Sequence, residues 1–328
     1  METSRFKRIF AAKSLTLILV AIVIILFFYI MNSNYLGNDN IRGILNAVSL
    51  SGTIAVGMAC LLIGGQVDLA AGAEGCLAGI LAALMINAGM PWPLAMIIAI
   101  AYGAAAGLIT SFLVNVLNLL AFISTIALSS IYQGIIKVLT NNQTISVSNQ
   151  SFWKLGSTNF YGIPLPFIIM IALLVIYGVI LSYTRFGRSI YMCGGNKQAA
   201  RLAGMNPKKI TAILFANCGA ISALGGVVLT ARMHSGTPTS VIGSEFDAIT
   251  AAVLGGIAFS GGTGSMFGCF LGLIILTCFN NGLTVINVPT YWQTVARGVL
   301  LILALVVDVF RERSRLRSLK ASKQSLTA

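Results

Sequence analysis

Apolar runs separated by short polar breaks repeat along this chain from residue 15 to residue 309. A helix rises 1.5 Å per residue and a bilayer core is ~30 Å thick, so the runs read as membrane-crossing helices. About ten are predicted, at 15–31, 44–63, 76–89, 93–114, 119–139, 165–183, 210–230, 247–260, 265–281 and 291–309. No charge occurs from residue 75 to residue 136, a length for three spans, and Pro91-Trp92-Pro93 and the region of Asn115 and Asn118 are the natural breaks. The eighth span is short and glycine-interrupted, with a glycine-rich turn at 261–264. The predicted fold class is all-α: one polytopic membrane helical bundle covering 1–328.

The polar breaks differ in charge. Residues 185–210 carry six basic residues and no acidic one, a bias that places a short loop on the cytoplasmic side. Within them Asn196 is a good N-cap, 197–203 contain strong helix formers, and Gly204 suits a left-handed stop. Asn206 before Pro207 then starts the next helix. The segment reads either as a short docking helix between two long ones or as an ordinary solvated loop that sets orientation. Arg5, Lys7, Arg8 and Lys13 precede the first span, and 311–323 hold six basic residues and one acid. Tails 1–14 and 311–328 are therefore expected inside, in agreement with an even number of spans. A signal peptide fits less well, because the first run is long and NSNYLGNDN after it offers no small-residue cleavage site.

Composition narrows the class. Hydrophobic residues make up 57% and charged residues 9%, with 34 glycines, which rules out a soluble core with a polar shell. The mean hydropathy of +0.91 agrees. Sixteen of 21 basic residues lie in the three clusters above, so the +13 charge fits anionic membrane lipids and orientation, with no nucleic acid implied. The six cysteines show no CxxC spacing and read as small packing residues.

Several residues break membrane rules. Asp68 and Glu74 lie in GGQVDLAAGAEG at 64–75, which reads either as a broken, re-entrant element or as a plain turn with solvated carboxylates. Arg297 interrupts the last span about 10 Å from its outer end, at the depth of Glu245 and Asp247, so an ion pair is expected there. Asn115, Asn118, Ser124, Thr125, Gln133, Asn280 and Asn281 are polar groups that line a path or join helices. His234 is the only histidine, which leaves no basis for a histidine metal cluster or catalytic dyad. The glycine-rich GGIAFSGGTGS lacks the lysine of a phosphate-binding loop, and no GxSxG occurs, so neither ATP hydrolysis nor serine hydrolysis is expected of this chain.

GGQVDLAAGAEG resembles a GG(I/V)DLSVG element, GRSIYMCGGNKQAARLAGMN a GR..YA.GGN..AA.L.GI loop, and EFDAITAAVLGGIAFSGGTGSMFG an E.DAIAAVVLGGTSL.GG.G...G signature. These motifs, in order along essentially the whole chain, resemble the ribose-type inner-membrane permease subunits of bacterial ABC sugar importers. NNGLTVINVPTYWQTVARGVLLILALVVD is similar to that family's last span. The chain departs from the family at Ala70-Ala71, where Ser-Val is usual, and at Arg297, where Lys is common.

The resemblance implies that 185–209 form a cytoplasmic coupling loop seated on a separate ATPase subunit, with Gly194, Gly195, Asn196, Ala199, Ala200 and Gly204 as motif positions and Arg201 as a further coupling residue. It implies a second permease subunit, identical or related, and a periplasmic or lipid-anchored sugar-binding protein. ATP and Mg²⁺ would be used by the ATPase, with no cofactor on this chain, and the location would be the bacterial cytoplasmic (inner) membrane. Asp68, Glu245, Asp247, Arg297 and Asn281 stand as positions for gating or translocation. A permease for a nucleoside, an autoinducer or an amino acid is the alternative within the same mechanism. An ion-coupled secondary transporter is the alternative outside it, set back because the acidic residues fall near predicted span ends.

Overall fold

The computed structural model describes residues 2–327, with side chains described for 15–310 and Arg313. The basic side chains on which the placement of both tails rests lie, Arg313 apart, outside the described residues. The chain is a helical bundle: α1 (Glu2–Met31), α2 (Asn38–Ile63), α3 (Ala71–Asn87), α4 (Trp92–Asn115), α5 (Ala121–Thr140), α6 (Gln150–Ser157), α7 (Leu165–Tyr183), α8 (Arg185–Gly195), α9 (Lys197–Leu202), α10 (Pro207–Met233), α11 (Ser244–Leu254), α12 (Met266–Val285) and α13 (Thr290–Thr327). Each of the ten expected spans falls on a helix. Seven are long and apolar enough to cross a membrane, and Leu15–Met31 and Ala71–Asn87 are shorter apolar helices.

The eighth expected span is corrected. Its helix is α11, which stops at Leu254, and Gly256 at φ 87 begins a turn that runs on to Gly264. A β-carbon is disfavoured at such φ, so the glycines end the helix earlier than its apolar residues suggest.

α10 is the axis of the bundle and packs on α2, α3 and α4. Small residues make this possible. A β-carbon on Gly103 of α4 would run into the Gly219 carbonyl of α10, and one on Gly226 would meet Gly75 of α3. The helices therefore touch backbone to backbone, the close approach that small residues permit in lipid. By contrast α1, α7 and α13 leave Val23, Ile30, Val175, Ile302 and Leu303 exposed, as lipid-facing helices do. Among the described residues α1 and the turn after it are seated on α12: Phe28 lies against Gly282, and the Tyr35 hydroxyl donates to the Cys278 carbonyl at 2.8 Å.

The two ends of the bundle are unlike. At one, α8 and α9 carry the basic segment, and Asn115 of α4 donates to the Lys208 carbonyl at 3.2 Å. At the other, β1 (Ile145–Ser146) pairs antiparallel with β4 (Ser235–Gly236), and β2 (Asn159–Phe160) with β3 (Ile163–Pro164). Trp153 of α6 stacks on His234 with ring centres 4.2 Å apart and donates from Nε1 to the Val147 carbonyl at 2.7 Å. His234 is thus an exposed, stacked residue at the left-handed end of α10.

Candidate functional site

The basic segment is locally determined. Asn196 has extended backbone, and its Oδ1 accepts from the Gln198 and Ala199 amides at 3.0 Å, which starts α9. Gly204 at φ 80 stops it, and Asn206 Oδ1 accepts from the Lys209 amide at 3.2 Å to start α10 behind Pro207. Ala200 is fully buried and faces the bundle, so it anchors α9. Gly195, Asn196, Ala199, Arg201 and Gly204 are exposed, and Leu202, the leucine of the motif, which was not among the positions singled out, is 91% exposed at the tip. The preceding polar residues, read as loop, form α8, capped by Thr184, whose hydroxyl oxygen accepts from the Gly187 amide at 3.0 Å.

Behind α9 three glycine pairs from distant parts of the chain meet. Gly194 packs so tightly that a β-carbon would collide with the Ile63 carbonyl and lie 2.7 Å from the Gly262 nitrogen. The Gly262 amide donates to the Ile63 carbonyl at 2.8 Å, and Gly65 lies against both Gly194 and Gly261. The same turn accepts the Tyr191 hydroxyl at the Gly264 carbonyl, 2.9 Å, and its Phe259 amide donates to Asp308 Oδ2 at 2.9 Å. The end of α2, the end of α8 and the turn after α11 are therefore one rigid joint.

Residues 64–70 form a break in the bundle. They are non-helical between α2 and α3, and Asp68 and Glu74 are fully buried, which decides for the broken element over the solvated turn. Asp68 Oδ1 accepts from the Ala70 amide at 2.9 Å, and Glu74 sits in the first turn of α3. α11 repeats the device: Glu245 is in its first turn, its Oε2 accepts from the Gly243 amide at 3.0 Å, and its carboxylate abuts Gly72 of α3. Two interrupted helices thus meet by their N-terminal ends inside the bundle, where partial positive charge favours carboxylates.

Of the expected partners of Arg297, Asp247 is the one in place, Nη1 to Oδ2 3.8 Å, while Glu245 caps α11 instead. The pair lies on a cavity of about 210 Å³ between α2, α11, α12 and α13, lined also by Ser51, Thr277, Asn280, Asn281 and Thr284. Asn281 exchanges two 2.9 Å amide bonds with Asn40. Asn115 joins α4 to α10, whereas Ser124, Thr125 and Gln133 bond within α5 and Asn118 bonds to the Val116 carbonyl. The structure thus brings Asp247, Arg297, Asn280 and Asn281 together and leaves Asp68 elsewhere. No group of three or more histidine, cysteine or acidic residues able to hold a metal occurs among the described residues, and all six cysteines are buried.

A membrane bundle with interrupted helices, a capped basic segment at one end and a polar cavity towards the other is the architecture of a membrane permease. Residues 40–305 match the family described as "Branched-chain amino acid transport system / permease component", and the chain belongs to that family. It is 35% identical over 288 residues to a ribose import permease protein of Bacillus subtilis strain 168, covering 87% of this chain and 89% of the relative. It is 34% identical over 300 residues to a ribose import permease protein of Escherichia coli strain K12, covering 90% and 92%. It is 32% identical over 284 residues to an L-arabinose transport system permease protein of the same strain, covering 84% of each.

Proposed function

We propose that this chain is the permease subunit of an ATP-binding-cassette importer that moves a monosaccharide, a ribose-like pentose or a hexose, into the cytoplasm across the bacterial inner membrane. A separate ATPase subunit hydrolyses ATP with Mg²⁺, an extracytoplasmic binding protein delivers the sugar, and a second permease subunit completes the path. This chain binds no cofactor. The observation that carries the reading is α9: a capped helix, anchored by Ala200, that presents Arg201 and a 91% exposed Leu202. An apolar knob ringed by basic residues fits a groove on a soluble partner, and its rigid joint to α2 and α11 turns partner movement into rigid-body motion.

Crosslinking from Leu202→Cys in native membranes tests the coupling; the six native cysteines are buried and stay in place. A nucleotide-sensitive adduct with an ATPase subunit is expected. Absence of that adduct in membranes that still import sugar would refute the assignment of α9. The family's description names branched-chain amino acids, which makes an amino acid importer the second reading. Competition of labelled ribose or arabinose uptake by leucine decides between the two.

A further inference from the structure

We infer that the cavity between α2, α11, α12 and α13 is a sugar-binding subsite held by the permease itself, which rests on the monosaccharide reading above. Five side chains from four helices line it with hydrogen-bonding capacity left unused: Ser51, Asp247, Thr277, Asn280 and Arg297. Hydroxyls on membrane helices ordinarily donate to the carbonyl four residues back, as Ser49, Thr53, Thr250 and Thr284 do in the helices that line this cavity. Ser51 and Thr277 make no hydrogen bond to any described residue. Neither does the side chain of Asn280, whose Oδ1 is buried without a partner.

The ion pair is open in the same sense. At 3.8 Å, Arg297 and Asp247 are about 1 Å beyond a charge-assisted hydrogen bond, and neither bonds to another described residue. A group between them would accept from the guanidinium and donate to the carboxylate.

These groups define the ligand. Acceptor-only carboxylate, donor-only guanidinium, two hydroxyls and an amide match a ring whose rim alternates donors and acceptors, as sugar hydroxyls do. The two charges neutralise each other, so a neutral ligand enters without leaving either charge unpaired. A pocket for a branched aliphatic side chain would need apolar walls, and only Ala47 and Leu276 supply them.

Ala47→Cys places a reporter on the lining without removing any of the five polar groups. In the intact complex in membranes, its rate of modification by a small methanethiosulfonate is measured with ribose, arabinose, leucine or glycerol at up to 50 mM. The unsubstituted chain, with its buried cysteines, gives the background. A transported sugar is expected to slow modification about tenfold at the highest concentration, as a millimolar site would, and glycerol and leucine are expected to leave it unchanged. Asn280→Leu and Asp247→Asn are each expected to raise the half-protecting concentration about tenfold, the loss of one hydrogen bond. If either variant fails to reach the membrane, the reporter in the otherwise native chain still decides. Unchanged modification in a complex that imports ribose or arabinose would overturn the subsite and leave the sugar reading standing. Protection by leucine alone, in a complex that imports leucine and neither sugar, would overturn both.

Discussion

The glycine joint behind α9 and the cavity beside Arg297 are served by opposite ends of one short helix, α11, and are built on opposite rules. At the joint, backbone lies on backbone, and the amides of Gly262 and Phe259 and the carbonyls of Ile63 and Gly264 are all engaged. At the cavity, Ser51, Thr277, Asn280 and the Arg297–Asp247 pair hold capacity in reserve. α11 joins them as a rod of 11 residues, about 16 Å long. An end with no slack passes on displacement, and an end with spare bonds can change partners without breaking the bundle.

The joint is broken most severely at Gly194. In Gly194→Val the new atoms meet the Ile63 carbonyl and the Gly262 nitrogen, backbone that cannot swing aside. Overpacking of this kind costs about 1–3 kcal/mol, so the purified protein in nanodiscs should unfold at a clearly lower temperature. Gly134→Ala in α5, which meets nothing within 4 Å, is the matched control and should leave the midpoint unchanged.

A milder cut leaves the joint and loosens only the helix in front of it. Asn196→Ala removes both cap bonds of α9 at a cost of about 1 kcal/mol. Initial uptake rates should fall while the amount of protein in the membrane stays constant, and Asn196→Asp, which retains an acceptor, should restore transport.

The smallest effect is expected at the cavity. A double-mutant cycle of Arg297→Ala and Asp247→Ala should give a coupling energy of about 0.2–1 kcal/mol, since the Arg297 side chain is 46% exposed and its charge is screened. A coupling of several kcal/mol would mean that the pair is a buried structural bridge, and the contrast between the two ends of α11 would dissolve.

Features with a local cause were legible in the sequence. Asn196, Gly204 and Asn206-Pro207 act where their intrinsic preferences put them, and Arg297 and Asp247 were matched by depth along helices of known rise. The joint was not legible. Gly262 read as a turn residue, Gly65 as part of a broken element or plain turn and Gly194 as a position of the coupling loop, and nothing in a sequence separates a glycine that bends the chain from one that lets two backbones touch. α8 was read as loop because its basic residues outweighed its helix signals, and α6, eight residues with Lys154 as its one charge, is too short to stand out from the polar stretch around it. Leu202 lay inside a motif whose glycines and alanines drew the attention, though a leucine in a basic loop is itself a signal of docking. The cavity depends on which hydroxyls fail to bond within their own helix, a property that only the packed bundle decides.

The seat of Phe28 on Gly282 has a consequence for biogenesis. The Asn32 side chain also donates to the Val285 carbonyl at 3.1 Å, a partner 253 residues further along the chain. At translation rates of 5–20 residues per second, α1 waits roughly 10–50 s in the bilayer before α12 arrives to receive it. During that interval its aromatic face is free for any helix that passes, so the early membrane intermediate, rather than the finished bundle, is where a chaperone or insertase would have most to do.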